Sequence, residues 1–150
     1  MITLTIKNLD AIKRIASKFP AVSRKHIDKA IYNALLRVWA KEKQEAPVRT
    51  GNLRDRWSIQ VSPFKGILRS NVKYGIFVHE GTGLYGKNHR LIVPVYKKAL
   101  YWKGADHPVM WSRGQRPNPF LQRAVEQSAG EINKVFKAAL DSITKELAQS

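Results

Sequence analysis

Residues 74–86 read YGIFVHEGTGLYG and contain two spacings that could support chemistry. The last six, GTGLYG, match G-x-G-x-x-G, the glycine spacing of a turn that brings backbone amides against a dinucleotide pyrophosphate. The preceding His79-Glu80 pair matches the start of H-E-x-x-H, in which two histidines one helical turn apart hold zinc and the glutamate acts as base. Neither reading fits its context. A dinucleotide turn leads from a strand into a helix, whereas Gly86 is followed by the β-like KNHRLIVPV, and the lysine-hydroxyl ending of a P-loop is missing. The second zinc histidine would fall at position 83, which is Gly83. His26, His79, His89 and His107 are scattered, so a metal site would need Glu80 and Asp106 to converge with them from separate loops. The glycines then read as residues of a strand exit that accept positive φ or admit a close neighbour.

Other chemistry is equally sparse. No G-x-S-x-G elbow positions a serine nucleophile. Glu80 and Asp106 are two of only three acids between 51 and 119, and nothing in the sequence sets their separation as a general acid and base would require. With no cysteine, the chain has no disulfide, thiolate metal site or cysteine nucleophile, which suits a cytosolic protein. The start MITLTIKNLD lacks the pattern of a signal peptide, and no window resembles a membrane span. A non-enzymatic protein without catalytic residues, cofactor or metal is the expectation, and a small hydrolase or metalloenzyme ranks last among the alternatives.

Charge is the unusual property. Twenty-seven Lys and Arg oppose 11 Asp and Glu in 150 residues, a formal +16. The excess sits in residues 1–50, with 11 basic and 4 acidic side chains, and in 51–119, with 12 and 3; residues 120–150 carry 4 of each. Such a field attracts polyanions or an acidic protein surface without implying sequence-specific recognition. The basic and aromatic residues of 87–116 could clamp a phosphate backbone or stack on bases. Trp, Tyr and Arg are equally the residues enriched at the centres of protein interfaces.

The elements that would position these residues follow from periodicity. Residues 2–6 alternate as a short strand, and 8–19 read as a short helix capped by Asn8 and ended by Pro20. A longer helix starts near Ser23, with Ile27, Ile31, Ala34, Leu35 and Val38 on one stripe, and stops near Ala46 because Pro47 follows. Thr50-Gly51 marks a turn. Residues 56–62 alternate through Trp57, Ile59 and Val61; residues 67–78 are β-prone with a break near Ser70-Asn71; and 90–95 supply a further strand with Pro94 at its edge. Residues 97–119 are loop-rich. Asn118 and Pro119 open a final helix whose stripe runs from Leu121 through Val125, Ile132 and Ala139 to Leu147.

A helix over 119–148 would be about 45 Å long, against a radius of gyration of about 15 Å for a compact domain of this size. It is therefore expected to project along a neighbouring subunit or to bend near Gly130. The fold class is α+β: two N-terminal helices and a long C-terminal helix packed on a small, mainly antiparallel β-sheet, in one domain spanning 1–150.

Three segments occur in a recognisable order: APVRTGNLR at 46–54, YGIFVHEGT at 74–82 and RPNPFLQRA at 116–124. Over residues 20–135 the chain resembles the HK97 gp10-like family of tailed-phage neck and tail-completion proteins. RPNPFL departs from the shorter R-P-F-L spacing of many relatives, and IVPVYKKALYW also resembles the related Mu-type virion morphogenesis proteins. The resemblance implies a structural role: completing the tail end or joining head to tail as an oligomeric ring, a hexamer being one candidate size. It places the protein in the virion neck or tail end, and in the host cytoplasm during assembly. The partners it implies are other copies of the chain, with a ring formed freely or only on a partner, and other neck or tail proteins. DNA in the ring lumen is a further neighbour that the charge suggests; a membrane is not. The candidate interface residues are Arg49, Thr50, Arg54, Arg56, Trp57, Tyr74, Glu80, Thr82, Trp102, Trp111, Arg116 and Phe120. A basic, non-specific nucleic-acid-binding protein is the alternative.

Overall fold

The computed structural model describes residues 2–6, 17, 19–48 and 51–149. Chain contacts divide them into two compact units, Met1–Val72 with Phe120–Ser150, and Lys73–Pro119 between them in sequence. The first unit holds strand β1 (Thr3–Ile6), helix α1 (Pro20–Glu45), the single turn α2 (Asn52–Asp55), strands β2 (Trp57–Ser62) and β3 (Lys65–Ser70), and helix α4 (Phe120–Ala148). The second holds helix α3 (Gly75–Glu80) and a 3-10 turn, Gly83–Tyr85. The expected α+β class is what forms, with long helices on a three-stranded antiparallel sheet of order β1-β3-β2. The helix expected over 8–19 lies almost wholly outside the described residues.

Proline sets both ends of α1. Pro20 stands in its first turn, where a missing N–H costs nothing. Ala46, extended because Pro47 follows, closes the helix by donating its N–H to Glu42 O at 2.8 Å. Between them Ser23, Ile27, Ala30, Ile31, Ala34, Leu35, Val38 and Glu42 are buried in steps of three and four. This stripe lies against α4 on one side and the sheet on the other.

The sheet buries one face. Trp57 pairs with Ser70, Ile59 with Leu68 and Val61 with Gly66 across β2 and β3, while Leu4 opposes Leu68 from β1. Alternation places Ser58, Gln60 and Arg69 on the opposite face, so β2 turns its Trp57 side to the core. Gly66 is required by the helix above it. A Cβ there would run into Ile31 Cγ2 and come within 2.7 Å of Leu35 Cδ1. The two-residue connection Pro63-Phe64 turns β2 into β3 with Phe64 at φ 58°, and Phe64 N–H donates to Asp28 Oδ1 of α1 at 3.0 Å. The hairpin is thus pinned to the helix by its turn as well as by its face.

Helix α4 runs unbroken through Gly130. The expectation of projection or bending assumed that nothing else in the fold was as long. The 26-residue α1 and 29-residue α4 are about 39 and 44 Å long, and they lie antiparallel side by side. Three contacts mark the length of the seam: Arg123 Nε to Glu45 Oε2 at 2.7 Å, Arg37 Nη1 to Glu131 Oε2 at 3.0 Å, and His26 Nε2 to Glu146 Oε2 at 2.5 Å. Phe120, Ala124, Ser128 and Ile143 supply the buried face of α4.

Glu42 occupies an apolar position on the α1 stripe, four residues after Val38, and is fully buried. Among the described residues neither of its carboxyl oxygens has a hydrogen-bond partner. The nearby Trp57 indole N–H is committed to Leu53 O at 2.7 Å. Burial raises the Glu42 carboxyl from 4.5 to about 7, with the Lys43 and Arg54 charges pulling the other way.

Candidate interaction site

The glycine-rich segment belongs to the Lys73–Pro119 unit, and the structure corrects its surroundings. Residues 75–80 are not strand. They form α3, begun by Tyr74 O, which accepts the N–H groups of Phe77 and Val78 at 3.1 Å each. The β-branched and aromatic run Ile76-Phe77-Val78 favours a strand locally, but this preference is weak and context overrides it. GTGLYG therefore leaves a helix, and enters a 3-10 turn.

Its glycines serve a backbone crossing. Thr82 and Leu84 donate their N–H groups to Gln115 O and Arg113 O, both at 2.9 Å, and Gln115 N–H returns to Thr82 Oγ1 at 2.9 Å. At that separation Gly83 (φ +64°) has no room for a side chain, because its Cβ would meet Arg113 O; Gly114 (φ +83°) from the opposite strand would meet Thr82 O. Both chain directions require left-handed backbone and no Cβ at the same place. Asn118 N–H to Val78 O at 3.0 Å extends the lock to α3. Segments 74–82 and 116–124 are thereby brought together over their shared part of this unit.

Beyond the crossing, residues 91–112 form an arm, a loop closed by two isolated bridges. The strand expected at 90–95 is reduced to one isolated bridge, Ile92 to Ser112, followed by a second, Leu100 to Val109. Pro94 cannot donate to a ladder, and seven residues on one side face two on the other, so residues 93–99 bulge outward. The arm exposes large apolar side chains: Tyr96 is 99% exposed, Val95 79%, Tyr101 67% and Met110 64%, with Trp102 and Trp111 each about half exposed. The unit carries eight Lys or Arg against two acids, Glu80 and Asp106.

The expected interface residues separate into groups. Arg49 and Thr50 lie outside the described residues. Trp57 and Phe120 are core side chains, 7% and 0% exposed, so their size serves packing. Arg54 is half-buried; its carbonyl accepts the Trp39 indole N–H at 3.3 Å, while the Leu53 carbonyl beside it takes that of Trp57. Arg56 is exposed, and its carbonyl receives Asn71 N–H. Thr82 works in the crossing. Arg116 is exposed with its guanidinium 5.4 Å from the Tyr85 ring centroid, a cation–π contact. Tyr74, Glu80, Trp102 and Trp111 are exposed. Glu80 also borders a groove of about 460 Å³ with Phe77, Lys87, Arg90 and Leu91.

Sequence reasoning passed over Val93, Val95 and Met110 as surface residues, while Tyr96 counted among the aromatics of 87–116 open to an interaction role. The Pro94 interruption inside an otherwise apolar run was the signal that they do not enter a sheet. Among the described residues no three His, Asp or Glu side chains group as a metal site, and no helix is long and apolar enough to cross a membrane. No family model, curated protein or solved structure matches the chain.

Proposed function

We propose that this chain is a structural assembly protein of a tailed phage, acting as an oligomeric ring that completes the tail end or joins head to tail. The observation that carries the reading is the exposed apolar and aromatic surface of the 91–112 arm. A chain that works alone gains nothing from leaving Tyr96, Val95, Tyr101 and Met110 in water, and contiguous exposed apolar residues of this kind mark interaction sites. The segments that resemble the phage family have framework roles that fit a non-enzymatic protein. Leu53 is buried and its carbonyl takes the Trp57 indole N–H, Thr82 locks the crossing, and Phe120 and Ala124 enter the core.

A ring needs a heterologous contact, one face of a subunit against a different face of the next. In the first unit the solvent-facing sides of α1 and α4 are available for it, which leaves the arm of the second unit for a different partner. Deleting the gene from a phage that carries it tests the reading. Filled heads and separate tails that fail to join, or tails with an unfinished end, are expected. Normal infectious particles overturn the proposal.

A further inference from the structure

We propose that the 91–112 arm docks onto an acidic, apolar-centred surface of a different protein, and not onto nucleic acid or a second copy of this chain. The inference rests on the assembly reading and specifies which contact the arm makes. Two bridges, Ile92 to Ser112 and Leu100 to Val109, hold the base and middle of the arm, while the 93–99 bulge carries Tyr96 fully into solvent with Lys97 and Lys98 beside it. Val93, Pro94, Val95, Ala99, Leu100 and Tyr101 line a notch of about 290 Å³, of a size to take an apolar side chain.

Charge complementarity selects the occupant. Eight basic and two acidic side chains in the Lys73–Pro119 unit call for an acidic counterpart. A second copy brings a net charge of +16. Four of its 11 acids, Asp28, Glu45, Glu131 and Glu146, already face Arg24, Arg123, Arg37 and His26. The aliphatic members decide between protein and nucleic acid. Val93, Val95 and Met110 have nothing to bury against on a phosphate backbone, whereas aromatic residues and Met are enriched in the centres of protein interfaces, with charge kept to the rim.

The test uses the full chain and two synthetic peptides with the same alternating Leu, Val and Phe residues, one with Glu between them and one with Lys. A duplex DNA oligonucleotide is the third probe. The half-exposed Trp102 and Trp111 report docking by a blue shift of their fluorescence. Saturable binding of the Glu peptide, weakened by salt and absent for the Lys peptide, is expected. The Tyr96→Ser/Trp102→Ser variant should lose about tenfold or more in affinity, as interface anchors do. Lys97→Gln/Lys98→Gln should flatten the salt dependence. These side chains are exposed, so the variants retain the fold, which circular dichroism verifies.

Failure of the Glu peptide to bind, or arm-dependent binding of DNA without it, overturns the proposal. So does a change in self-association, followed by mass across a concentration series, when Tyr96 and Trp102 are replaced. Unjoined particles on gene deletion without arm-dependent peptide binding overturn this inference and leave the assembly reading standing. Arm-dependent peptide binding together with normal particles does the reverse.

Discussion

Replacing Glu42 by glutamine should remove a pH dependence of stability that runs opposite to the usual carboxylate case. The carboxyl is fully buried on the α1 stripe, and burial raises it from 4.5 to about 7. At about 1.4 kcal/mol per pH unit, that rise corresponds to about 3 kcal/mol. The folded chain holds the proton more tightly than the unfolded one, so the stabilisation is fully present below 4.5. It declines between 4.5 and 7 and is gone above that range. Glutamine keeps the shape and cannot ionise. The stability of the native chain relative to Glu42→Gln should therefore fall by about 3 kcal/mol from about pH 4 to about pH 8, a large part of a typical domain stability of about 5–15 kcal/mol. Urea unfolding followed by tryptophan fluorescence at several pH values, on both proteins, measures it. Using the difference cancels the general charge repulsion of a strongly basic chain, formally +16 at pH 7. A constant difference, or a native chain that gains on the variant as pH rises, would refute the reasoning. The second result would mean that Glu42 is charged and paired in the fold.

Three further outcomes follow from the packing. Gly114→Ala should open the crossing, since the left-handed backbone alone costs about 1–2 kcal/mol and the new Cβ also strikes Thr82 O; faster amide exchange across 82–84 and 113–115 with the α1–α4 seam unchanged is the expected pattern. Gly66→Ala should destabilise by about 1–3 kcal/mol through overpacking, and Ile31→Ala should cost less in that background than alone, because it removes the obstructing Cγ2; additive losses in denaturation would count against it. Arg123 holds the Glu45 carboxyl below its ordinary value, with help from Gln127, so Arg123→Ala should raise the Glu45 titration seen by carbon-13 NMR; an unmoved titration would show that the pair does not persist in solution.

Helices α1 and α4 and strand β2 were legible because their signals are local and repeat. Ile27, Ile31, Leu35 and Val38 announce the α1 stripe, and Trp57, Ile59 and Val61 announce β2. Glu42 continues that same stripe by one step of four, so the sequence held the signal of a buried acid, read only once the stripe is followed past its last apolar member. Helix α3 was hidden because six residues are too few to establish a period and Ile76, Phe77 and Val78 favour strand. The crossing was half legible. Close approach was one of the two uses open to the glycines, but its partner, Arg113 to Gln115, lies some thirty residues away, and long-range pairing of irregular backbone leaves no periodic trace. The same holds for the arm, whose apolar run looks like buried strand until the bulge turns it outward.

The placement of α4 after the Lys73–Pro119 unit has a temporal consequence. The α1 stripe and the β2–β3 hairpin leave the ribosome first, but the helix that seals the other side of α1 follows only after the 47 residues of Lys73–Pro119. At about 5–20 residues per second, making that unit and the 29 residues of α4 takes roughly 4 to 15 s, during which Ile27, Ile31 and Leu35 lack their final cover. A chain cut short anywhere before Ile143 thus lacks part of its core, and the α1 stripe is covered along its length only once α4 has been made.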